Sequence, residues 1–196
     1  LRDAVALGVL PVMPRIVTVQ TRGAWPLRRA YERVVQAIAA KVGHSPPADP
    51  RVRADWLRER VPAAVIDEVL RHAATHESAF MWPWETTPRS IAHGILDDET
   101  YDWWALVEGM IHTGGFPVVV DEPTLVEARE AVRRTLKVDA TATGTAGMAG
   151  VMQLHRQLGA MFVHGIRQLA QLRNEAVVGD RFLPEIAGAF RKAHRH

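Results

Sequence analysis

The chain has 196 residues, 47% of them hydrophobic and 23% charged, the composition of a globular domain long enough to bury a sizeable core. Its net charge is only +2 and its arginines are spread along helical patterns, which argues against a nucleic-acid partner. With no cysteine, disulfides and thiolate metal sites are excluded, and a cytoplasmic location is expected. No apolar run reaches membrane-spanning length and no signal peptide stands out, so no membrane partner is expected.

In chain order, Leu1-Arg2-Asp3-Ala4 stands inside a helical pattern, and the chain is expected to be the later part of something longer. Residues 15–20 (RIVTVQ), after Pro14, predict a short strand buried on both faces, because β-branched residues dominate it. Residues 21–25 are a loop. Pro26 suits a first helical turn; Leu27, Tyr31, Val34, Ile38 and Val42 keep the helical period, and Gly43 is a natural stop. Residues 44–50 (HSPPADP) are an excursion. Helices follow at about 54–60 and from Pro62, the latter with Val65, Ile66, Val69, Leu70 and Ala73 as its apolar stripe.

Residues 78–89 read as irregular. A helix over 99–112 ends at Gly114-Gly115, and residues 117–120 (PVVV) predict a second buried strand. The next helix, 124–136, turns Leu125, Ala128, Val132 and Leu136 inward and pairs Glu130 with Arg134 on its surface. Helix resumes from about 146 to 172. Strands alternating with helices through short loops predict an α/β fold with parallel pairing.

The most informative run is Thr141-Ala142-Thr143-Gly144-Thr145-Ala146-Gly147. Hydroxyls and small residues crowd a helix start, so a flat ligand can approach the backbone and a threonine hydroxyl can touch it.

Four stretches together carry a family resemblance. They are residues 14–26, residues 89–95 (RSIAHGI), Tyr101-Asp102-Trp103 through Gly114-Gly115 to Val118-Val119-Val120-Asp121-Glu122, and Thr143-Gly144-Thr145-Ala146-Gly147. In order and spacing they resemble the later part of the threonine synthase-like enzymes, within the tryptophan-synthase-β-like, fold-type-II enzymes of pyridoxal phosphate (PLP). The likeness covers roughly residues 1–152 and fades beyond; residues 175–179 (EAVVG) look like a remnant of the family's closing strand.

The resemblance implies a partial parallel-sheet, three-layer domain over residues 1–196, the C-terminal part of the large PLP-binding domain. It implies PLP as cofactor, an amino-acid substrate, a homo-oligomer, and lyase or synthase chemistry by β/γ-elimination or replacement. A serine/threonine dehydratase and a diaminopropionate ammonia-lyase-like enzyme are the close alternatives. The Schiff-base lysine and phosphate loop belong to the family's N-terminal half, so no catalytic residue is expected in this chain. Lys41, Lys137 and Lys192 have no matching context. The partner implied is therefore that N-terminal half, joined upstream or as a second chain. A non-catalytic binding or regulatory half-domain is the alternative of another class.

By the same resemblance, the cofactor-binding residues are Thr143, Gly94, Gly144 and Thr145. Thr143 would meet the pyridine nitrogen with a neutral hydroxyl, which leaves the ring a weaker electron sink than a carboxylate would. Thr141 and Thr145 are alternatives in register, and Thr143 as a plain helix cap is a further one. Gly94 would lie against the cofactor or be an ordinary loop glycine; His93, where the family has an acidic residue, is a surface side chain or a local change of polarity.

Other clusters are set aside. His72, His76 and Glu77 lack the spacing of a zinc hydrolase. Trp82-Pro83-Trp84 and Trp103-Trp104 are core or interface material, one of the latter pair covering a partner surface. His194 and His196 close a basic tail, expected to be disordered. No Ser-His-Asp triad or paired-carboxylate signature is legible.

Overall fold

A computed structural model describes residues 1–159. They cover the first of two compact units, Leu1–Leu154, and the opening of the second, His155–His196. The expected helix end at 172, the strand remnant at 175–179, Lys192, His194 and His196 lie outside the described residues.

The described chain is mixed α/β and mostly helical, built on a two-stranded parallel sheet. In order it runs α1 (Arg2–Ala6), β1 (Thr18–Thr21), α2 (Pro26–Val42), α3 (Pro50–Arg60), α4 (Ala63–Thr75), α5 (Trp103–Thr113), β2 (Pro117–Val120) and α6 (Glu122–Leu136). Residues 146–159 form a further helix, α7. Short 3-10 turns occupy Glu77–Ala79 and His93–Ile95. None of the described helices is long and apolar enough to cross a membrane.

The strand expected over 15–20 forms instead at Thr18–Thr21, opposite Pro117–Val120, with Thr18 beside Pro117 and Thr21 beside Val120. Two neighbours delay it. Pro117 has no N–H to extend a ladder upstream, and the Ile16 N–H is taken by the Thr113 hydroxyl at 2.9 Å. Gly115 closes that end, since a Cβ there would overlap the Ile16 carbonyl.

Helix α2 follows its sequence pattern. Leu27, Tyr31, Val34 and Ile38 are buried, and Gly43 ends the helix in the left-handed region at φ 69°, where a Cβ is disfavoured. Helix α3 starts four residues earlier than expected because Asp49 caps it, accepting from the Arg51 and Val52 N–H groups with Pro50 in the first turn. Helix α5 starts later, at Trp103, after a turn in which its N–H donates to the Thr100 carbonyl. In α6 the buried positions are Thr124, Leu125 and Ala128. Leu136, expected inside, is 64% exposed, because the helix ends there with Lys137 at φ 58° and none of the described residues covers its last turn. Glu130 pairs with Arg133 at 3.0 Å, in place of the expected Arg134.

The core joins Tyr31, Val34 and Ile38 of α2 to Leu57, Val69, Met110, Ile111, Val120 and Leu125, all at most 2% exposed. Each such aliphatic or aromatic side chain contributes roughly 1.5–3 kcal/mol by leaving water. The sheet is thus pinned beneath α2, and the segments that follow its strands are held in register.

Candidate functional site

Both strands run parallel, so their carboxyl ends lie together, the end where open α/β sheets bind ligands. After β1 the chain passes through Gly23 to α2; after β2 Asp121 caps α6, accepting from the Thr124 N–H at 3.0 Å. The segment 89–95 crosses these two exits. A Cβ on Gly23 would overlap the Arg89 carbonyl, and the Ile91 N–H donates to Glu122 Oε2 at 2.9 Å. Ser90 Oγ accepts from the Ala92 N–H at 3.1 Å, tightening the turn that presents Gly94.

Gly94 meets Thr143. Its N–H donates to Thr143 Oγ1 at 3.1 Å. A Cβ on Gly94 would stand 2.9 Å from Thr143 Cγ2 and 3.0 Å from Oγ1, so the close approach requires glycine. Two residues singled out from separate stretches of sequence are therefore adjacent. Gly94 is exposed and Thr143 half-buried.

The three threonines of the 141–145 turn have different tasks. Thr145 is 4% exposed, and its hydroxyl lies 3.1 Å from the Thr141 carbonyl and 3.3 Å from that of Ala142. Its proton is committed inside the turn. Thr141 Oγ1 accepts from the Gly144 N–H at 3.1 Å. That bond lies within the turn before α7, whereas the Thr143 hydroxyl oxygen takes the Gly94 N–H from outside the turn. Both Thr141 and Thr143 use an oxygen lone pair, and among the described residues no acceptor takes the proton of either hydroxyl. Gly144 is exposed, and a Cβ there would find ordinary contact with Thr141 at 3.6 Å.

A second feature adjoins this contact. A cleft of 310 Å³ is lined by Ile91, His93, Val126, Arg129, Glu130, Thr141 and Ala142. Neither Gly94 nor Thr143 lines it. Nothing in the sequence marked Arg129; it reaches the cleft because α6 lies between the 89–95 segment and the 139–142 stretch.

The approach to segment 89–95 is held by aromatic and ionic contacts. Arg29 of α2 lies over the Trp82 ring at 3.8 Å and near Trp84 at 5.1 Å. It pairs with Glu85 at 2.7 Å and donates to the Trp82 carbonyl. Trp84 meets Trp25 edge-on at 4.8 Å. Burial pulls the Arg29 guanidinium below its ordinary value, opposed by Glu85. The Glu85 carboxyl is held low by the Trp82 indole N–H first, then by its own backbone and by Arg29. This Trp-Pro-Trp stretch is packing, as its sequence suggested.

The remaining clusters resolve plainly. His72 and His76 stack at 4.0 Å, and Glu77 accepts from the Trp103 indole at 3.0 Å. Among the described residues no group of three or more His, Asp or Glu is placed to hold a metal ion. Trp103 is 3% exposed; Trp104 donates to the Leu70 carbonyl at 2.8 Å, so both indoles pack on this chain's own elements. Tyr101, beside them in sequence, is 96% exposed.

Set against family models, curated proteins and solved structures, this chain matches none.

Proposed function

We infer that this chain supplies the ring-facing floor of a pyridoxal-phosphate site in a cytoplasmic, threonine-synthase-like enzyme with the fold-type-II, three-layer architecture. One observation carries the reading: Gly94 and Thr143 touch, N–H to Oγ1 at 3.1 Å, at the carboxyl ends of two parallel strands.

The residues present fit the flat part of the cofactor. Gly94 lets its loop pack directly on Thr143, and the Thr143 hydroxyl, whose proton no described residue accepts, can donate to a ring nitrogen. A hydroxyl donates a hydrogen bond without transferring its proton, so Thr143 orients the ring and leaves it uncharged. The cofactor, when bound, supplies electron withdrawal from an amino-acid substrate. A ring left neutral favours elimination and replacement at the β or γ carbon. Segment 89–95 sets the floor's height, through Gly23 and Glu122.

The lysine that holds the cofactor is assigned to a further polypeptide segment. Lys41 pairs with Glu68 at 2.6 Å, and Lys137 sits at the end of α6. The same positions favour a second reading, a non-catalytic binding or regulatory half-domain. A dehydratase or diaminopropionate ammonia-lyase-like reaction would use the same floor.

The test is intact-mass measurement of the native protein after borohydride reduction, which fixes a lysine-bound cofactor covalently. A cofactor-carrying lysine on a longer or second polypeptide supports the enzyme. Recovery of this chain alone, without adduct, overturns it in favour of the binding module.

A further inference from the structure

The cleft between α6 and the 139–142 stretch has a chemistry of its own, independent of the cofactor reading. Each of its three walls pairs an apolar residue with a hydrogen-bonding one: Val126 with Arg129 on α6, Ile91 with His93, and Ala142 with Thr141. Ile91 is 45% and Val126 49% exposed.

Arg129 is fixed and only partly used. Its Nε donates to the Ala140 carbonyl at 3.1 Å, and its Nη2 reaches Asp139 at 3.4 Å. Asp139 is 80% exposed at that long distance, so the pair is weak. Nη1 has no hydrogen-bond partner among the described residues. The Thr141 hydroxyl accepts from Gly144 and keeps its proton. The one carboxylate lining the cleft, Glu130, is turned to Arg133, 3.3 Å from Nε and 3.0 Å from Nη2, which offsets its charge.

A guanidinium with a free nitrogen, a hydroxyl donor and an imidazole beside aliphatic side chains suit one ligand class. We propose that this cleft binds a short aliphatic carboxylate, its oxygens on Arg129 and Thr141 and its hydrocarbon arm against Ile91 and Val126. The volume of 310 Å³ is at the small end for ligand pockets and leaves room for a carboxylate with a short arm. The Nη1 of Arg129 can donate a charge-assisted hydrogen bond to a carboxylate, and the exposed apolar residues gain by being covered. The 141–145 turn forms one wall and carries Thr143, so occupancy of the cleft steadies the element that contacts Gly94.

The experiment is a titration of the full 196-residue chain with butyrate, followed by amide chemical shifts, with inorganic phosphate and n-butanol as parallel probes. Saturable shifts at Ile91, His93 and Thr141 are expected with butyrate, weaker ones with phosphate, and none with n-butanol. Arg129→Gln should weaken butyrate by about tenfold or more, the loss expected of a charge-assisted hydrogen bond. Arg129 is 47% exposed, so folding should survive. Val126→Ala, at an exposed position, should weaken butyrate by removing apolar contact to its arm while leaving the charge of Arg129 alone. Absence of saturation, or unchanged affinity in either variant, overturns the site. Phosphate binding as tightly as butyrate overturns the aliphatic arm. Adduct chemistry does not enter any of these readings, so failure here leaves the cofactor question where the mass measurement puts it.

Discussion

The amide of Gly94 and the hydroxyl of Thr143, forty-nine positions apart in the chain, are joined at 3.1 Å. The bond ties a loop crossing the ends of β1 and β2 to the turn that opens α7. Gly94 sits in the short 3-10 turn His93–Ile95 and Thr143 in the turn before α7, and this bond joins the two.

That link is measurable. Gly94→Ala places a methyl 2.9 Å from Thr143 Cγ2, and should cost about 1–2 kcal/mol of stability. Thr143→Ser removes the offending Cγ2 and keeps the hydroxyl. In that background the alanine should cost less, giving a coupling of about 0.5 kcal/mol or more in a double-mutant cycle of denaturant melts. Strict additivity would show that the two residues do not constrain one another.

Gly23 is the more severe position. A Cβ there meets the Arg89 backbone carbonyl, which cannot rotate away as a side chain does. Gly23→Ala should destabilise the chain by about 2–3 kcal/mol and speed hydrogen exchange at the Gly94 amide. Gly147, in α7, has nothing within 4 Å of the added atom; Gly147→Ala should stabilise by about 0.5–1 kcal/mol. Equal effects at the two glycines would contradict the placement of segment 89–95.

Tyr31 makes stability depend on alkaline pH. Burial pushes its hydroxyl up to about 12 from an ordinary 10, because the phenolate is disfavoured away from water. Between those values the unfolded chain loses a proton that the folded chain keeps, so the unfolded state binds fewer protons and stability falls as pH rises. The full stabilisation is present below pH 10 and is lost progressively towards pH 12, by up to about 3 kcal/mol. Tyr31→Phe should remove this slope. Its baseline cost should be small, since the hydroxyl reaches Gly115 O only at 3.5 Å. Urea melts at stepped pH on both proteins would show it, and parallel slopes would refute it.

Arg29 should not tolerate lysine. Its plane lies over Trp82 at 3.8 Å while Nη1 binds Glu85 at 2.7 Å. An ammonium keeps the charge and loses the stacked plane. Arg29→Lys should cost about 1–2 kcal/mol and shift tryptophan emission, as Trp82 is released from α2. Unaltered emission and melting would mean that residues 81–85 hold their path without Arg29.

Much of the architecture was legible in one dimension. The 3.6-residue period of Leu27, Tyr31, Val34 and Ile38, stopped by Gly43, located α2 because helix amphipathicity and a left-handed cap are local properties. PVVV located β2 to the residue. Asp49-Pro50 carried the start of α3 as a cap-and-proline signal that the longer run of prolines obscured. Strand β1 shifted because pairing is non-local: Pro117 and Gly115 decide where Thr18 can begin.

At the candidate site, residue types alone pointed to the bare hydroxyl-glycine turn, since small residues reveal where backbone can be approached; Gly94 came only from the family resemblance. Residue types left three threonines equivalent. Only the folded turn separates them, by burying the Thr145 hydroxyl, giving Thr141 the Gly144 amide and turning Thr143 to Gly94. Arg129 carried no signal at all, because a cleft is made by elements distant in sequence. What the amino-acid order determined by itself is therefore the helical stripes, the caps and the points of close backbone approach, each set by forces acting within a few residues. Register, the hydrogen-bond partner of each hydroxyl and the cleft beside α6 were decided by tertiary structure, because hydrogen-bond partners and cavity walls exist only once distant segments are brought together.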